Sequence, residues 1–233
     1  MSGSTVSIKG KDGTFSGYLS MPPKGGPGVV VIQEIFGVNT WVRSVCDMFA
    51  REGFVALAPD LFWRIKPHVE LHPVFEEDFT DAVENYYKKF DVDRGMEDIQ
   101  AAITTLRGIK GCTGKVGNIG FCLGGLLSYL AATRTDADAS SSYYGVGIDG
   151  KLDEAAKIKK PLQLHIAGAD PYVPAEALAK IQAAVKGKPG VEVLVYPGLD
   201  HGFARDTDAK HYSAEGTKQA HGRTLAMFKK ALA

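Results

Sequence analysis

A cysteine, a histidine and an aspartate in this chain stand where they could serve as nucleophile, base and the carboxylate that orients the base. Cys122 lies in Gly120-Phe121-Cys122-Leu123-Gly124-Gly125, after the apolar run KVGNIGF and ahead of the helical stretch LLSYLAAT. Glycines on both sides permit the tight strand–turn–helix reversal that lifts a nucleophile above a sheet. A thiol at a helix N-terminus also meets partial positive charge, which favours thiolate over thiol. The same glycines suit a nucleotide-binding turn, and cysteine often serves only as a small buried hydrophobe. Gly117, Gly120, Gly124 and Gly125 do not spell GxGxxG, however, and they lie mid-chain rather than after a first strand, which sets a dinucleotide site aside.

A nucleophile near neutral pH needs a base. His201 sits in Gly198-Leu199-Asp200-His201-Gly202-Phe203, between the last strand pattern and the last helix. Asp170, in Ala167-Gly168-Ala169-Asp170-Pro171, follows the run LQLHIAG and so reaches the same sheet edge as a carboxylate partner for the imidazole. Asp170 is alternatively a cap for a helix after Pro174, with Asp200 or Asp206 as the partner of His201. His165 falls within a strand, His68 and His72 in an irregular segment, and His211 and His221 in the last helical region. The order Cys, Asp, His, each after a strand, is that of α/β-hydrolases. An oxyanion in such a site needs two amide donors, here those of Leu123 and Ile35. Glu34 ends an apolar strand, where a carboxylate is costly unless paired or functional. Its ordinary explanations are a salt bridge to Arg43 or a helix cap.

The elements that position these residues are legible as alternating patterns. Strand-like runs occur at VVVIQE (29–34), FVALA (54–58), KVGNIGF (115–121), SSSYYG (140–145), LQLHIAG (162–168) and VEVLVYP (191–197). Helical periodicity separates them, in Val38, Trp41, Val42, Val45 and Phe49, in Ile99, Ala102, Ile103 and Leu106, and in Leu225, Phe228 and Leu232. The alternation predicts an α/β fold with a mostly parallel central sheet and helices on both faces. TVSIKG, the turn Lys11-Asp12-Gly13 and TFSGYLS predict an antiparallel N-terminal hairpin at the sheet edge. The segment from Phe62 to Phe90, aromatic and acidic, reads as a loop plus helix over the top edge of the sheet.

Composition narrows the function classes. The 233 residues carry 27 Lys plus Arg against 27 Asp plus Glu, so no net field gathers nucleic acid or an anionic membrane. The uncharged stretch Asn118 to Thr133 is too short and glycine-rich to span a bilayer, and the N-terminus lacks the apolar core of a signal peptide. Three cysteines, Cys46, Cys112 and Cys122, form no CxxC pair, as suits a reducing compartment. A single domain over 1–233, cytoplasmic and monomeric, is the expectation, with neither nucleic acid nor membrane as partner.

Across nearly its whole length the chain resembles the dienelactone hydrolases (carboxymethylenebutenolidases), through QEIFGVN, APDLF, KFDVDRGMEDIQAA, KVGNIGFCLGG, YYGVG and HGFAR. The resemblance implies an α/β-hydrolase fold, a triad of Cys122, His201 and Asp170, and hydrolysis of an enol lactone through a thioester, with no cofactor and no metal. It further implies that Glu34 holds the resting thiol neutral until substrate arrives. Arg205 matches one of two arginines that hold the substrate carboxylate in that family, although its ordinary reading is a surface ion pair with Asp206. Thr80 stands where the other arginine is expected, and no arginine occurs between Arg64 and Arg94. Phe36, Tyr87 and Tyr144 match pocket aromatics, and each is equally readable as packing. Three functions are open to such a chain: a lactone hydrolase, a broader carboxylesterase or thioesterase on the same scaffold, and a non-catalytic binding or redox-sensing protein using Cys122.

Overall fold

A computed structural model describes residues 3–233, so Met1 and Ser2 of the expected 1–233 domain lie outside the described residues. An eight-stranded sheet runs in the order β1-β2-β4-β3-β5-β6-β7-β8. β1 (Ser4–Lys9) and β2 (Thr14–Ser20) form the expected antiparallel hairpin, and β2 joins β4 (Val55–Pro59) antiparallel. β3 (Gly26–Ile32), β4, β5 (Cys112–Phe121), β6 (Ala139–Tyr143), β7 (Leu162–Ala167) and β8 (Val191–Tyr196) are mutually parallel. The unbroken apolar run Val29–Ile32, fully buried, is what a central strand covered on both faces requires.

Two hydrophobic cores sandwich the sheet. On one face α1 (Thr40–Arg51) and α6 (Ala214–Ala231) contribute Trp41, Val45, Phe49 and Phe228. On the other, α3 (Val92–Gly108), α4 (Leu123–Arg134) and α5 (Ala175–Val185) contribute Ile99, Ile103, Leu127, Leu130 and Ile181. Local signals set the helix starts: the side chains of Asn39, Asp91 and Ser213 each accept from amides of the first helical turn. Nothing among the described residues forms a helix long and apolar enough to cross a membrane.

The segment after β4 departs from a simple loop and helix. A loop leads into α2 (Glu76–Asp81), succeeded by a π turn (Ala82–Tyr86) and a 3₁₀ turn (Tyr87–Lys89). The extra residue of a π turn rotates the side chains beyond it about the helix axis, and such turns gather at functional sites. His211 precedes α6 in a turn, not in the helical region expected from its sequence neighbourhood.

Candidate active site

Register brings the candidate residues to one edge. Ile32 of β3 pairs with Gly120 of β5, Phe121 with Tyr143 of β6, Tyr143 with His165 of β7, and Ala167 with Tyr196 of β8. The segments after these strands, bearing Glu34 and Ile35, Cys122, Tyr144, Asp170 and His201, therefore emerge side by side.

β5 ends at Phe121 and α4 begins at Leu123, so Cys122 alone makes the turn, with φ 54° and ψ −113°. A non-glycine residue held at positive φ costs on the order of 1–3 kcal/mol and persists only where its surroundings fix it. The flanking glycines serve close approach. A Cβ at Gly120 would stand 2.0 Å from the Gly124 carbonyl oxygen, and one at Gly124 would stand 2.5 Å from the carbonyl oxygens of Ile32 and Gln33. They let the first turn of α4 press onto the ends of β3 and β5. Leu123, first in its helix, has no intrahelical acceptor for its amide, and neither it nor the Ile35 amide meets a backbone or side-chain acceptor among the described residues. Two donors thus stand free beside the thiol.

His201 Nδ1–H donates to Asp170 Oδ2 at 2.8 Å. Asp170 caps no helix, since α5 starts behind Pro174; its other oxygen accepts from the Tyr172 amide at 2.9 Å. Asp200 instead accepts from the backbone amide of His201. The imidazole packs edge-on to Tyr144 and Tyr172, with centroids 5.0 and 4.9 Å away. Burial opposes its protonation, but the charge on Cys122 and the hydrogen bonds to Asp170 and Cys122 outweigh it and raise its pKa to about 10.

Glu34 is buried and pairs with Arg205 rather than Arg43, whose partner is Glu70. No hydrogen bond joins Glu34 to Cys122 among the described residues: Oε2 accepts from Arg205 Nη1 at 2.8 Å, and Oε1 is buried without a partner. Arg205 is likewise buried, and its second ion pair is to Asp208, not Asp206. The ring of Phe36 lies over its guanidinium, 5.5 Å from centroid to Cζ.

A cleft of ≈ 340 Å³ opens over Cys122 and His201. Ile35, Phe36, Phe79, Val83, Tyr87, Val146, Pro171 and Tyr172 line it together with the polar side chains of Asp200, Arg205, Asp208 and His211. The π turn aims Val83 and, just after it, Tyr87 into this space. Burial and the neighbouring Cys122 charge raise the Tyr87 phenol above its ordinary value. No group of three or more His, Cys, Asp or Glu side chains is gathered for a metal ion among the described residues.

The model of the dienelactone hydrolase family matches residues 15–232. The chain belongs to that family. With this membership it is an ester-bond hydrolase with the α/β-hydrolase fold. It is 37% identical to the carboxymethylenebutenolidase of Pseudomonas sp. (strain P51), over 98% of this chain and 94% of the relative. A protein of Azospirillum brasilense provisionally named a carboxymethylenebutenolidase is 46% identical over 96% of both chains. A Klebsiella pneumoniae structure provisionally assigned as a dienelactone hydrolase superposes with a TM-score of 0.87 at 25% identity, covering 98% of each chain.

Within this member of the family the expected residues are not all at the cleft. Cys122, His201, Ile35, Phe36, Tyr87 and Arg205 line the cleft, Asp170 is bonded to His201, and Leu123 follows Cys122 at the start of α4. Tyr144, expected at the substrate, is fully buried behind the imidazole, with its hydroxyl unpartnered. Thr80 faces a separate surface hollow with Glu76, Glu77, Asp81 and Glu84. Asp208, His211, Phe79 and Val83 were not legible as site residues. The only sequence trace of the first is its i,i+3 spacing from Arg205.

Proposed function

We propose that this chain hydrolyses activated esters or enol lactones through a thioester on Cys122. The observation that carries the reading is the alignment of Asp170 and His201 at 2.8 Å with the imidazole in reach of a strained thiol turn and two free amides. The Cys122 thiolate attacks the substrate carbonyl, forming a C–S bond while the carbonyl oxygen, now an oxyanion, accepts from Ile35 and Leu123. Collapse breaks the C–O bond, and the leaving oxygen takes a proton from the His201 imidazolium. The sulfur no longer carries charge in the thioester, so the leading cause of the raised His201 pKa disappears. The neutral imidazole then takes a proton from the attacking water, and the thiolate leaves the second tetrahedral intermediate as the acid product forms, which restores the starting thiolate–imidazolium pair.

Sulfur constrains the substrate, because a tetrahedral intermediate expels its weaker base and a thiolate, with a pKa of about 8.5, is far less basic than a simple alkoxide. Enolate or aryloxide leaving groups narrow that gap, and electron-withdrawing substituents on them reverse it. Mass spectrometry after brief mixing with an aryl ester or an enol lactone should show an acyl adduct on Cys122, absent in Cys122→Ala. Hydrolysis at full rate by Cys122→Ala would end the proposal.

A further inference from the structure

We infer that the exposed ring of Tyr172, with the apolar rim around it, forms a subsite for an aromatic leaving group of two fused rings. The inference rests on the proposed hydrolase reading and names its substrate class. Apolar side chains exposed singly over a surface carry no meaning, but a cluster of them at a cleft marks what binds there. In this protein they gather. Phe79, Tyr87 and Tyr172 are exposed and line the cleft; Val74 and Phe75 follow the lining residue Pro73, and Tyr212 follows the lining residue His211. Of the large apolar side chains exposed among the described residues, only Ile65 is neither a lining residue nor a near neighbour of one in the chain.

The chemistry singles out Tyr172 within this rim. The leaving oxygen takes its proton from His201, so the leaving group lies beside that imidazole. Two tyrosine rings pack edge-on to it, with centroids 5.0 Å away for Tyr144 and 4.9 Å for Tyr172. Tyr144 is fully buried, whereas Tyr172 is 52% exposed. Of the two, Tyr172 alone offers free ring surface to the group that His201 protonates. Its backbone is anchored, because the Tyr172 amide donates to Asp170 at 2.9 Å, and Pro171 beside it also lines the cleft. A ring fixed at its base and bare above is suited to packing against another aromatic group. The cleft volume of ≈ 340 Å³ lies within the range of about 300–1,000 Å³ that encloses drug-sized ligands, so a second ring finds room there. Tyr172 is in this sense a specificity-determining residue.

The test compares phenyl acetate with 2-naphthyl acetate, whose leaving phenols are of similar acidity, so that a difference in rate reports the second ring. After subtraction of spontaneous hydrolysis, kcat/KM should favour the naphthyl ester roughly fivefold or more, the effect of burying most of an added ring. Tyr172→Ala, which keeps the backbone amide on Asp170, should bring that ratio below about twofold. A ring that only props His201 would instead slow both esters alike and leave the ratio unchanged. That result overturns the inference, as does a wild-type ratio near one, and the wild-type ratio decides alone if the variant does not fold. Should neither ester turn over, calorimetry on Cys122→Ala with acetanilide and N-(2-naphthyl)acetamide replaces the kinetics. Tighter binding of the naphthyl amide would then defeat the hydrolase reading and leave the aromatic subsite standing, whereas equal binding or none would defeat both. Hydrolysis of the two esters with equal kcat/KM defeats the subsite and leaves the hydrolase reading intact.

Discussion

Replacing Cys122 by alanine should lower the pKa of His201 from about 10 to about 7. Burial favours the neutral imidazole, and what opposes it comes from only two residues, Cys122 and Asp170. A unit charge about 4 Å away, the reach of a hydrogen bond to sulfur, is worth about 4 kcal/mol at an effective dielectric constant of 20. At 1.36 kcal/mol per pKa unit that is about three units. Deleting the sulfur leaves the Asp170 bond at 2.8 Å to balance burial, and the imidazole returns near its ordinary value.

The assay is an NMR titration of the ring Cε1 protons, with His201→Gln used to identify the resonance. His165 and His221 will not obscure it, because burial lowers the pKa of both, that of His221 to about 4. The result matters for mechanism because an acylated sulfur, like an alanine, carries no charge. A base released at the thioester stage is what water attack needs, whereas an imidazole that stays protonated would stall there. An imidazole still titrating above pH 9 in Cys122→Ala would refute the argument, as would a wild-type value near 6.5.

The same ionisation predicts a stability difference. A histidine whose folded pKa is raised contributes stability fully present below its unfolded pKa of about 6.5 and lost as pH rises through about 10. Urea denaturation of wild type should therefore weaken between pH 7 and 10 more steeply than that of Cys122→Ala, and parallel slopes would refute the linkage. Gly124→Ala drives a Cβ to within 2.5 Å of two carbonyl oxygens and should cost about 3 kcal/mol or prevent folding. Gly150→Ala, with open space around the added carbon, should change stability by less than about 0.5 kcal/mol, so equal effects would discredit the packing account of the elbow. Arg134→Met removes the guanidinium that ties α4 to Glu154, with Nε 3.0 Å from both carboxylate oxygens, and should cost about 1–3 kcal/mol at pH 7. Chiefly through hydrogen bonding to Arg134, the Glu154 pKa is depressed to about 2. That contribution is present above its ordinary value of 4.5 and lost as pH falls through about 2, so the deficit of the variant should shrink in acid.

The parallel strands were legible because such strands must be apolar on both faces, and the turn after β5 was legible from its glycines. All six parallel strands lie within a few residues of the runs read from the sequence, with β5 starting earlier, at Cys112. Partners across space were not legible. Glu34 and Arg205 are 171 residues apart in sequence yet share a buried ion pair, and the nearer Arg43 is drawn off by Glu70. The π turn at Ala82–Tyr86 also left no pattern, since one inserted residue shifts a helical face without changing its composition. Tyr144 shows the limit of motif reading: the residue type is right for a pocket wall, but its fate depends on the turn after β6.

That turn and the one at Cys122 share a physical design. Phe121 and Tyr143 are register partners, so Cys122 and Tyr144 are the next residues of neighbouring strands. Both are non-glycine residues at positive φ, 54° and 36°. Each is restrained by a bond that continues the sheet one step further: the Cys122 amide donates to Tyr143 at 3.1 Å, and the Tyr144 amide to His165 at 2.8 Å. The strain in each turn is thus held by the ladder rather than by the adjoining loop. The consequence is positional, because the first strained residue presents the thiol and the second sets its ring against His201. A register error of one residue between β5 and β6 would put the two side chains on opposite faces of the sheet from each other. Strand pairing deep in the core therefore fixes the sulfur and the Tyr144 ring, and the loop after β8 brings His201 against them.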